Sequence, residues 1–215
     1  MCDRSPSSRN TFIVARLRPS TSPPPRVTCT LRLLRTGAGS FAVTAMPIET
    51  QLTSTLGLRV PLVMGGMQWV GTPRLAAAVS NAGALGMITS LTLPTPEALK
   101  EGIALARSLI DPEIAKERSK YGAFGVNITL LPAIVPPDYE GYARAALEAG
   151  VRIFETAGSN PGPVIKILKE AGAYVIHKCT SVRHGLTALR LGADMLSIDG
   201  CTSRYSHRRM RGSPR

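Results

Sequence analysis

Lys178 is the residue of this sequence that makes the strongest chemical demand on its surroundings. It follows the apolar segment 174–176, which is typical of a buried strand. A buried ammonium group is costly unless an anion lies beside it. Lys178 could therefore neutralise negative charge on a bound ring or phosphate group, or it could form a structural ion pair with Glu155 or Asp199.

Asn127, Gly65 and Gly66 are candidates for the rest of a ligand site. The Asn127 amide offers a donor and an acceptor, as the edge of a pyrimidine-like ring requires, although it could instead bond to neighbouring backbone. The two glycines allow a close approach of the backbone to a ligand, or they could form only a turn.

Two other reactive side chains lie next to Lys178. His177 faces the opposite side of the strand because successive side chains alternate, so we predict a packed structural histidine. Cys179 and His177 would lie side by side on one strand. This arrangement does not suit a nucleophile and its base, which argues against a cysteine hydrolase.

Residues 46–200 supply the elements that must position these side chains. Apolar segments predict strands that begin near positions 60, 85, 124, 151, 174 and 195, and a helical pattern follows each strand except the last. Thr72 and Pro73 are suited to the N-cap and first turn of the first of these helices, and Ser181 is suited to the N-cap of the last. The alternation predicts a parallel sheet with right-handed crossovers.

Two folds could contain such a sheet, an open doubly wound sheet and a (β/α)8 TIM barrel. Polar residues at the carboxyl ends of successive strands favour the barrel: Asn127, Thr156, Lys178 and Asp199. The 65–67 segment, Gly-Gly-Met, is not the glycine-rich turn that an open dinucleotide-binding sheet carries. A complete barrel needs about 250 residues. We therefore predict an incomplete α/β barrel of about six parallel strands.

The net charge of +12 is concentrated outside this domain. Residues 1–45 hold seven arginines and one acidic residue, residues 201–215 hold five arginines and no acidic residue, and residues 46–200 hold 14 basic and 13 acidic residues. Both basic tails are predicted to be disordered. Neither carries a recognisable nucleic-acid-binding module, and no apolar run is long enough to span a membrane.

The location of the protein depends on what residues 1–45 are. An arginine-rich, acid-poor segment is typical of a mitochondrial transit peptide. The alternative is an upstream extension of a protein whose natural start is Met46, which would be cytoplasmic. The four cysteines have no CxxC spacing, so the sequence predicts neither a zinc site nor a disulfide framework.

Five blocks of this sequence occur in the order found in a known family. They are MGGMQWVG at 64–71, FGVNITLLP at 124–132, ETAG at 155–158, HKCTSVRH at 177–184 and SIDG at 197–200. The sequence resembles the nitronate monooxygenase family, formerly called 2-nitropropane dioxygenases. It is also similar to the flavin NADH:quinone reductases that share the fold.

The resemblance implies an FMN-dependent barrel that oxidises alkyl nitronates with molecular oxygen. In the quinone reductase branch, the small-molecule substrates are instead NADH and a quinone. The flavin-contacting positions carried over to this sequence are Met64, Gly65 and Gly66 in the first loop, and Asn127, Lys178 and Asp199 at later strand ends.

The sequence departs from the family pattern after 197–200. The family has a glycine-rich run with a histidine there, the usual candidate for the catalytic base, whereas this sequence has Cys-Thr-Ser at 201–203. His207 has no matching context, so no catalytic residue is assigned. The last two strands, whose loops hold the FMN phosphate, also have no counterpart. The expectation is a C-terminally truncated barrel, and a non-catalytic fragment is a third interpretation.

Overall fold

The computed structural model describes residues 48–199 except 119 and 132–135, together with the backbone of three short strands nearer the amino terminus. The strands are β1 Ile13–Ala15, β2 Leu31–Arg35, β3 Phe41–Ala45, β4 Gly86–Thr89, β5 Phe124–Leu130, β6 Ile153–Gly158, β7 Tyr174–Cys179 and β8 Met195–Ile198. The helices are α1 Gln51–Leu56, α2 Pro73–Asn81, α3 Pro96–Leu109, α4 Pro112–Glu117, α5 Tyr139–Glu148, α6 Gly162–Glu170 and α7 Val182–Arg190, with a 3-10 helix at Ser90–Thr92.

The central sheet contains the five parallel strands β4 to β8, which lie side by side in chain order. Helices follow β4, β5, β6 and β7 and connect the successive parallel strands. β1 pairs with the outer edge of β8 in the antiparallel direction. The architecture confirms the prediction of an α/β fold that corresponds to an incomplete TIM barrel.

The prediction of a first strand near position 60 is wrong. That segment makes a single parallel bridge, between Val63 and Leu85. The Met64 amide donates to the Leu85 carbonyl, and the Leu85 amide donates to the Leu62 carbonyl. The two amides that would extend this ladder are bonded elsewhere, since the Leu62 amide donates to the Val60 carbonyl and the Gly66 amide donates to Glu155 Oε2, so pairing stops after one bridge. The parallel sheet of the described residues therefore has five strands, not about six.

The helix start signals of the sequence are confirmed at both ends of the domain. The Thr72 side chain accepts a hydrogen bond from the Leu75 amide at the start of α2, and the Ser181 side chain accepts one from the His184 amide at the start of α7. Side-chain acceptors of this kind satisfy amide groups that have no partner inside the helix. The sequence reasoning did not predict α1.

The side chains of β5 alternate between two environments, the hydrophobic core on the helix side of the sheet and the polar interior of the barrel. Val126 and Ile128 are fully buried and belong to the hydrophobic core on the helix side. Asn127, on the opposite face, is also fully buried. An amide buried in this way must find hydrogen-bond partners inside the protein.

The predicted tails lie mostly outside the described residues. Residues 201–215 are not described, and within 1–45 the structure describes only the backbone of β1 and of the antiparallel pair β2–β3. The assignment of residues 1–45, 46–200 and 201–215 to separate regions stays a prediction. No helix in the described part of the chain is long and apolar enough to cross a membrane.

Candidate functional site

Glu155 is at the centre of the polar interior of the barrel. Strand register makes Glu155 the partner of Asn127 on β5, and makes Lys178 on β7 the partner of Ala157. Residues paired across strands, and residues two apart on one strand, share a face of the sheet. Asn127, Glu155 and Lys178 therefore point to the same side, opposite the helix-packed core.

The Glu155 carboxylate joins the first loop, which is residues 64–72 before α2, to the sheet. Its Oε2 atom accepts a hydrogen bond of 2.8 Å from the Gly66 amide and one of 2.6 Å from Asn127 Nδ2. Thr129 Oγ1 donates to Asn127 Oδ1 over 2.9 Å, which fixes the orientation of the amide group. Asn127 thus bonds to side chains and not to the neighbouring backbone.

Lys178 faces the other carboxylate oxygen without a hydrogen bond. Its Nζ lies 3.9 Å from Glu155 Oε1, beyond hydrogen-bonding distance. The Lys178 side chain is 20% exposed, whereas that of Glu155 is 2% exposed. Among the described residues neither Lys178 Nζ nor Glu155 Oε1 has a hydrogen-bond partner. The site therefore presents a donor and an acceptor side by side.

The two adjacent glycines have different surroundings. A Cβ atom built on Gly65 would lie 3.5 Å from both Glu155 Oε1 and Lys178 Nζ, an ordinary contact distance. A Cβ atom on Gly66 would overlap the amide group of Asn127. Gly66 is therefore required for packing of the loop, whereas Gly65 keeps space open in front of the unpaired donor and acceptor.

Two threonine side chains, one on β4 and one in the turn after it, accept hydrogen bonds that fix the rest of the first loop. The Met67 amide donates to Thr89 Oγ1 over 2.8 Å, and the Trp69 amide donates to Thr92 Oγ1 over 3.1 Å. A Cβ atom on Gly71 would overlap Thr89 Oγ1. Trp69 has a φ of 67° and a highly exposed side chain.

The structure brings together four of the six predicted cofactor-binding residues. Gly65, Gly66, Asn127 and Lys178 surround Glu155. The other two lie differently: Met64 is part of the hydrophobic core, and the half-buried Asp199 donates its backbone amide to the Cys179 carbonyl. Of the two carboxylates predicted as partners of Lys178, only that of Glu155 lies within 4 Å in the described part of the chain.

Sequence reasoning did not assign Glu155 or Thr89 to the site. Glu155 is a single charged residue inside an otherwise apolar strand, and a carboxylate there needs partners. Its position one strand away from Asn127 was a second signal. Thr89 carried no comparable signal, because its role depends on the path of the loop above it.

Comparisons with known proteins agree with this architecture. A family model described as nitronate monooxygenase matches residues 49–115. A probable nitronate monooxygenase of Staphylococcus aureus is 29% identical over 125 residues, which are 57% of this chain and 30% of that protein. Over residues 49–115 the chain therefore resembles the nitronate monooxygenase family. The members of this family are flavin-dependent oxidoreductases.

A further relative extends the similarity beyond proteins of that name. The (3aS,4S,5R,7aS)-5-hydroxy-7a-methyl-1-oxo-octahydro-1H-indene-4-carboxyl-CoA dehydrogenase of Mycobacterium tuberculosis is 32% identical over 155 residues, which cover 72% of this chain. The structure of FabK from Thermotoga maritima, a TIM barrel, matches with a TM-score of 0.58 and 35% sequence identity over 68% of this chain. The chain spans 39% of that dehydrogenase and 42% of that FabK chain.

His177 lies outside the candidate site, as the alternation of β7 predicts. It is 3% exposed, and its Nδ1 lies 2.9 Å from Thr156 Oγ1 on the helix side of the sheet. Burial, and to a smaller extent the nearby His184, lower the pKa of His177 to about 4, while the contact with Thr156 acts in the opposite direction. His177 is a neutral packed histidine.

The lowered pKa predicts a pH-dependent stability that should disappear in His177→Gln. Between pH 6.5 and pH 4 the unfolded chain binds a proton at His177 that the folded chain does not, so stability falls as the pH falls through this range. The expected loss between pH 7 and pH 5 is about 2 kcal/mol. Urea unfolding of both proteins at several pH values measures it, because the contributions of the carboxylates cancel in the difference. Parallel curves for the two proteins would contradict this role of His177.

Proposed function

We propose that this chain is an FMN-dependent oxidoreductase that oxidises alkyl nitronates with molecular oxygen. The observation that carries the proposal is the juxtaposition of Lys178 Nζ and Glu155 Oε1 behind Gly65, both without a hydrogen-bond partner in the described residues. The residues proposed to contact FMN are Met64, Gly65, Gly66, Asn127, Lys178 and Asp199. Bound FMN would supply the electron acceptor that the nitronate requires and would pass the electrons to oxygen.

The residues present fit the ring of a flavin. The pyrimidine edge of that ring alternates hydrogen-bond donors and acceptors, and the site offers the ammonium group of Lys178 next to a free carboxylate oxygen of Glu155. Asn127 is fully buried and supports this pair indirectly, because its Nδ2 atom donates to Glu155 Oε2. Gly65 has no side chain that would keep a planar ligand away from these groups.

Each residue of the site has a separate task in this proposal. Lys178 supplies positive charge that stabilises an anionic ring, an interaction that strengthens where water is excluded. Glu155 holds Gly66 and Asn127 in place through its Oε2 atom. The site is therefore preorganised, because the groups that meet the ligand are already fixed by the fold.

The direct test is to bind flavin to the 215-residue chain. Titration of FMN fluorescence, followed by a visible spectrum after desalting, measures binding, and riboflavin serves as the comparison without phosphate. Anaerobic addition of ethylnitronate should bleach a bound flavin, and admission of oxygen should restore its colour. A chain that quenches no FMN fluorescence would overturn the proposal.

Lys178→Met should weaken FMN binding about tenfold, because it removes the positively charged contact of the proposed site. Lys166 is an exposed lysine on α6, so Lys166→Met is the matched control for the loss of a positive charge. The two dissociation constants come from the same fluorescence titration. Equal affinity of the two variants would remove Lys178 from the flavin site.

A second candidate function is flavin-dependent oxidation or reduction without oxygen as the electron acceptor. The relative that is 32% identical is named a dehydrogenase, which favours this candidate. The NADH:quinone reductase reaction is its simplest form for this chain. Bleaching of bound flavin by NADH but not by ethylnitronate, with colour restored by a quinone, would select it over nitronate oxidation.

A further inference from the structure

A cavity of about 210 Å³ lies at the amino-terminal edge of the sheet, away from the candidate flavin site. Its lining includes Phe124, the first residue of β5, and Gly150 and Val151, which precede β6. Lys178, by contrast, lies near the carboxyl end of β7. The two sites are thus at opposite edges of the parallel strands, and nothing in the proposed flavin chemistry uses this cavity.

Two arginines line the cavity, and one of them is buried. Arg118 is 2% exposed, whereas Arg107 is exposed to solvent. Arg118 Nη1 donates to the Ala84 carbonyl over 2.7 Å and to the Ala123 carbonyl over 3.0 Å. Arg107 Nη2 donates to the Ala149 carbonyl. Both side chains are therefore held in place by backbone acceptors.

The other half of the Arg118 guanidinium has no acceptor. Its Nε and Nη2 atoms are buried and make no hydrogen bond within the described residues. These two nitrogens form one edge of the planar group, the edge that binds two oxygens of a carboxylate or phosphate in parallel. A buried charged donor without an acceptor costs several kcal/mol at order of magnitude, so the missing acceptor needs an explanation.

No carboxylate of the described residues forms an ion pair with Arg118. The adjacent Glu117 pairs with Arg59 through two hydrogen bonds of 3.0 and 2.7 Å. Burial lowers the pKa of Arg118, although the charge of Glu117 acts in the opposite direction and Arg59 adds to the effect of burial. Arg118 and Arg107 both line this cavity, which is large enough for several water molecules.

We propose that this cavity binds a small oxyanion, a carboxylate or phosphate, between the free edge of Arg118 and the side chain of Arg107. The buried edge of Arg118 supplies two parallel donors, and Arg107 supplies charge at the solvent side. The alternative is a structural role in which Arg118 only joins the amino ends of β4 and β5 through the two carbonyls.

The test is calorimetric and thermal titration of the full chain with inorganic phosphate and with acetate, against chloride at the same ionic strength. We expect saturable binding and a rise in melting temperature with an oxyanion but not with chloride. Arg118→Lys keeps the charge but loses the parallel donors and should weaken binding about tenfold. Arg144→Met, which removes an exposed arginine of α5, should leave the affinity unchanged.

Two results would overturn the proposal. One is the absence of saturable oxyanion binding to the wild-type chain. The other is an unchanged oxyanion affinity of the Arg107→Met variant. Because Arg107 is exposed, this variant can be assayed even if the Arg118 variant does not fold. Preference between phosphate and acetate identifies which oxyanion the cavity accepts.

Discussion

Glu155→Ala is expected to lower the free energy of unfolding by about 3–5 kcal/mol. The substitution removes the acceptor of the Gly66 amide and of Asn127 Nδ2, and Asn127 is fully buried. Unsatisfied buried donors cost about 1–3 kcal/mol each, and the cavity left by the side chain adds to this. Urea unfolding followed by circular dichroism measures the difference.

Two variants serve as controls for this result. Glu155→Gln keeps one oxygen that can accept both hydrogen bonds, so it should lose clearly less stability than the alanine variant. Glu170→Ala removes an exposed glutamate at the end of α6 and should change stability by less than about 0.5 kcal/mol. If Glu155→Ala were as stable as Glu170→Ala, Glu155 would not be what holds the first loop.

The repeating elements of the fold could be predicted because their signals are local. The strand Phe124–Leu130 begins where it was predicted, and Thr72 and Ser181 cap the helices that they were expected to cap. Each signal lies within a few residues of chain. The predicted first strand failed because the amides of Leu62 and Gly66, which would extend the ladder, bond instead to the Val60 carbonyl and to Glu155.

Individual residues of the site could be predicted more easily than the hydrogen bonds that join them. Lys178 and Asn127 could be selected because polar residues at strand ends are conspicuous in an apolar sequence. Glu155 was not selected as the residue that joins them, because its role depends on the register between β5 and β6. Register is set by tertiary packing and is only weakly encoded in a single strand.

Arg118 shows a second limit of sequence reasoning. It lies in a segment rich in charged residues, 116–120, which predicts a solvated helix end. The structure buries it instead, because the carbonyls of Ala84 and Ala123 lie within reach of its guanidinium. A long side chain can leave a polar segment and enter the core, and no local pattern reveals this.

Gly66→Ala and Gly65→Ala should have opposite effects, although the substitutions are identical and adjacent. A methyl group on Gly66 overlaps the Asn127 amide, which is fully buried and hydrogen-bonded to Glu155 and Thr129. Neither the amide nor the loop can move without breaking these bonds. We expect a loss of about 3 kcal/mol or more in the free energy of unfolding, from overpacking and from weakened hydrogen bonds.

Gly65→Ala is the matched control, because its methyl group would lie at ordinary contact distance, 3.5 Å, from Lys178 Nζ and Glu155 Oε1. Its stability should therefore change by less than about 1 kcal/mol. That methyl group does occupy the space in which the proposed flavin ring meets these two atoms, so FMN affinity should fall while the fold remains intact. Urea unfolding and FMN titration of both variants separate the two effects. Destabilisation by Gly65→Ala equal to that by Gly66→Ala would show that both glycines serve only the packing of the loop, and the space in front of Lys178 would then have no role in binding.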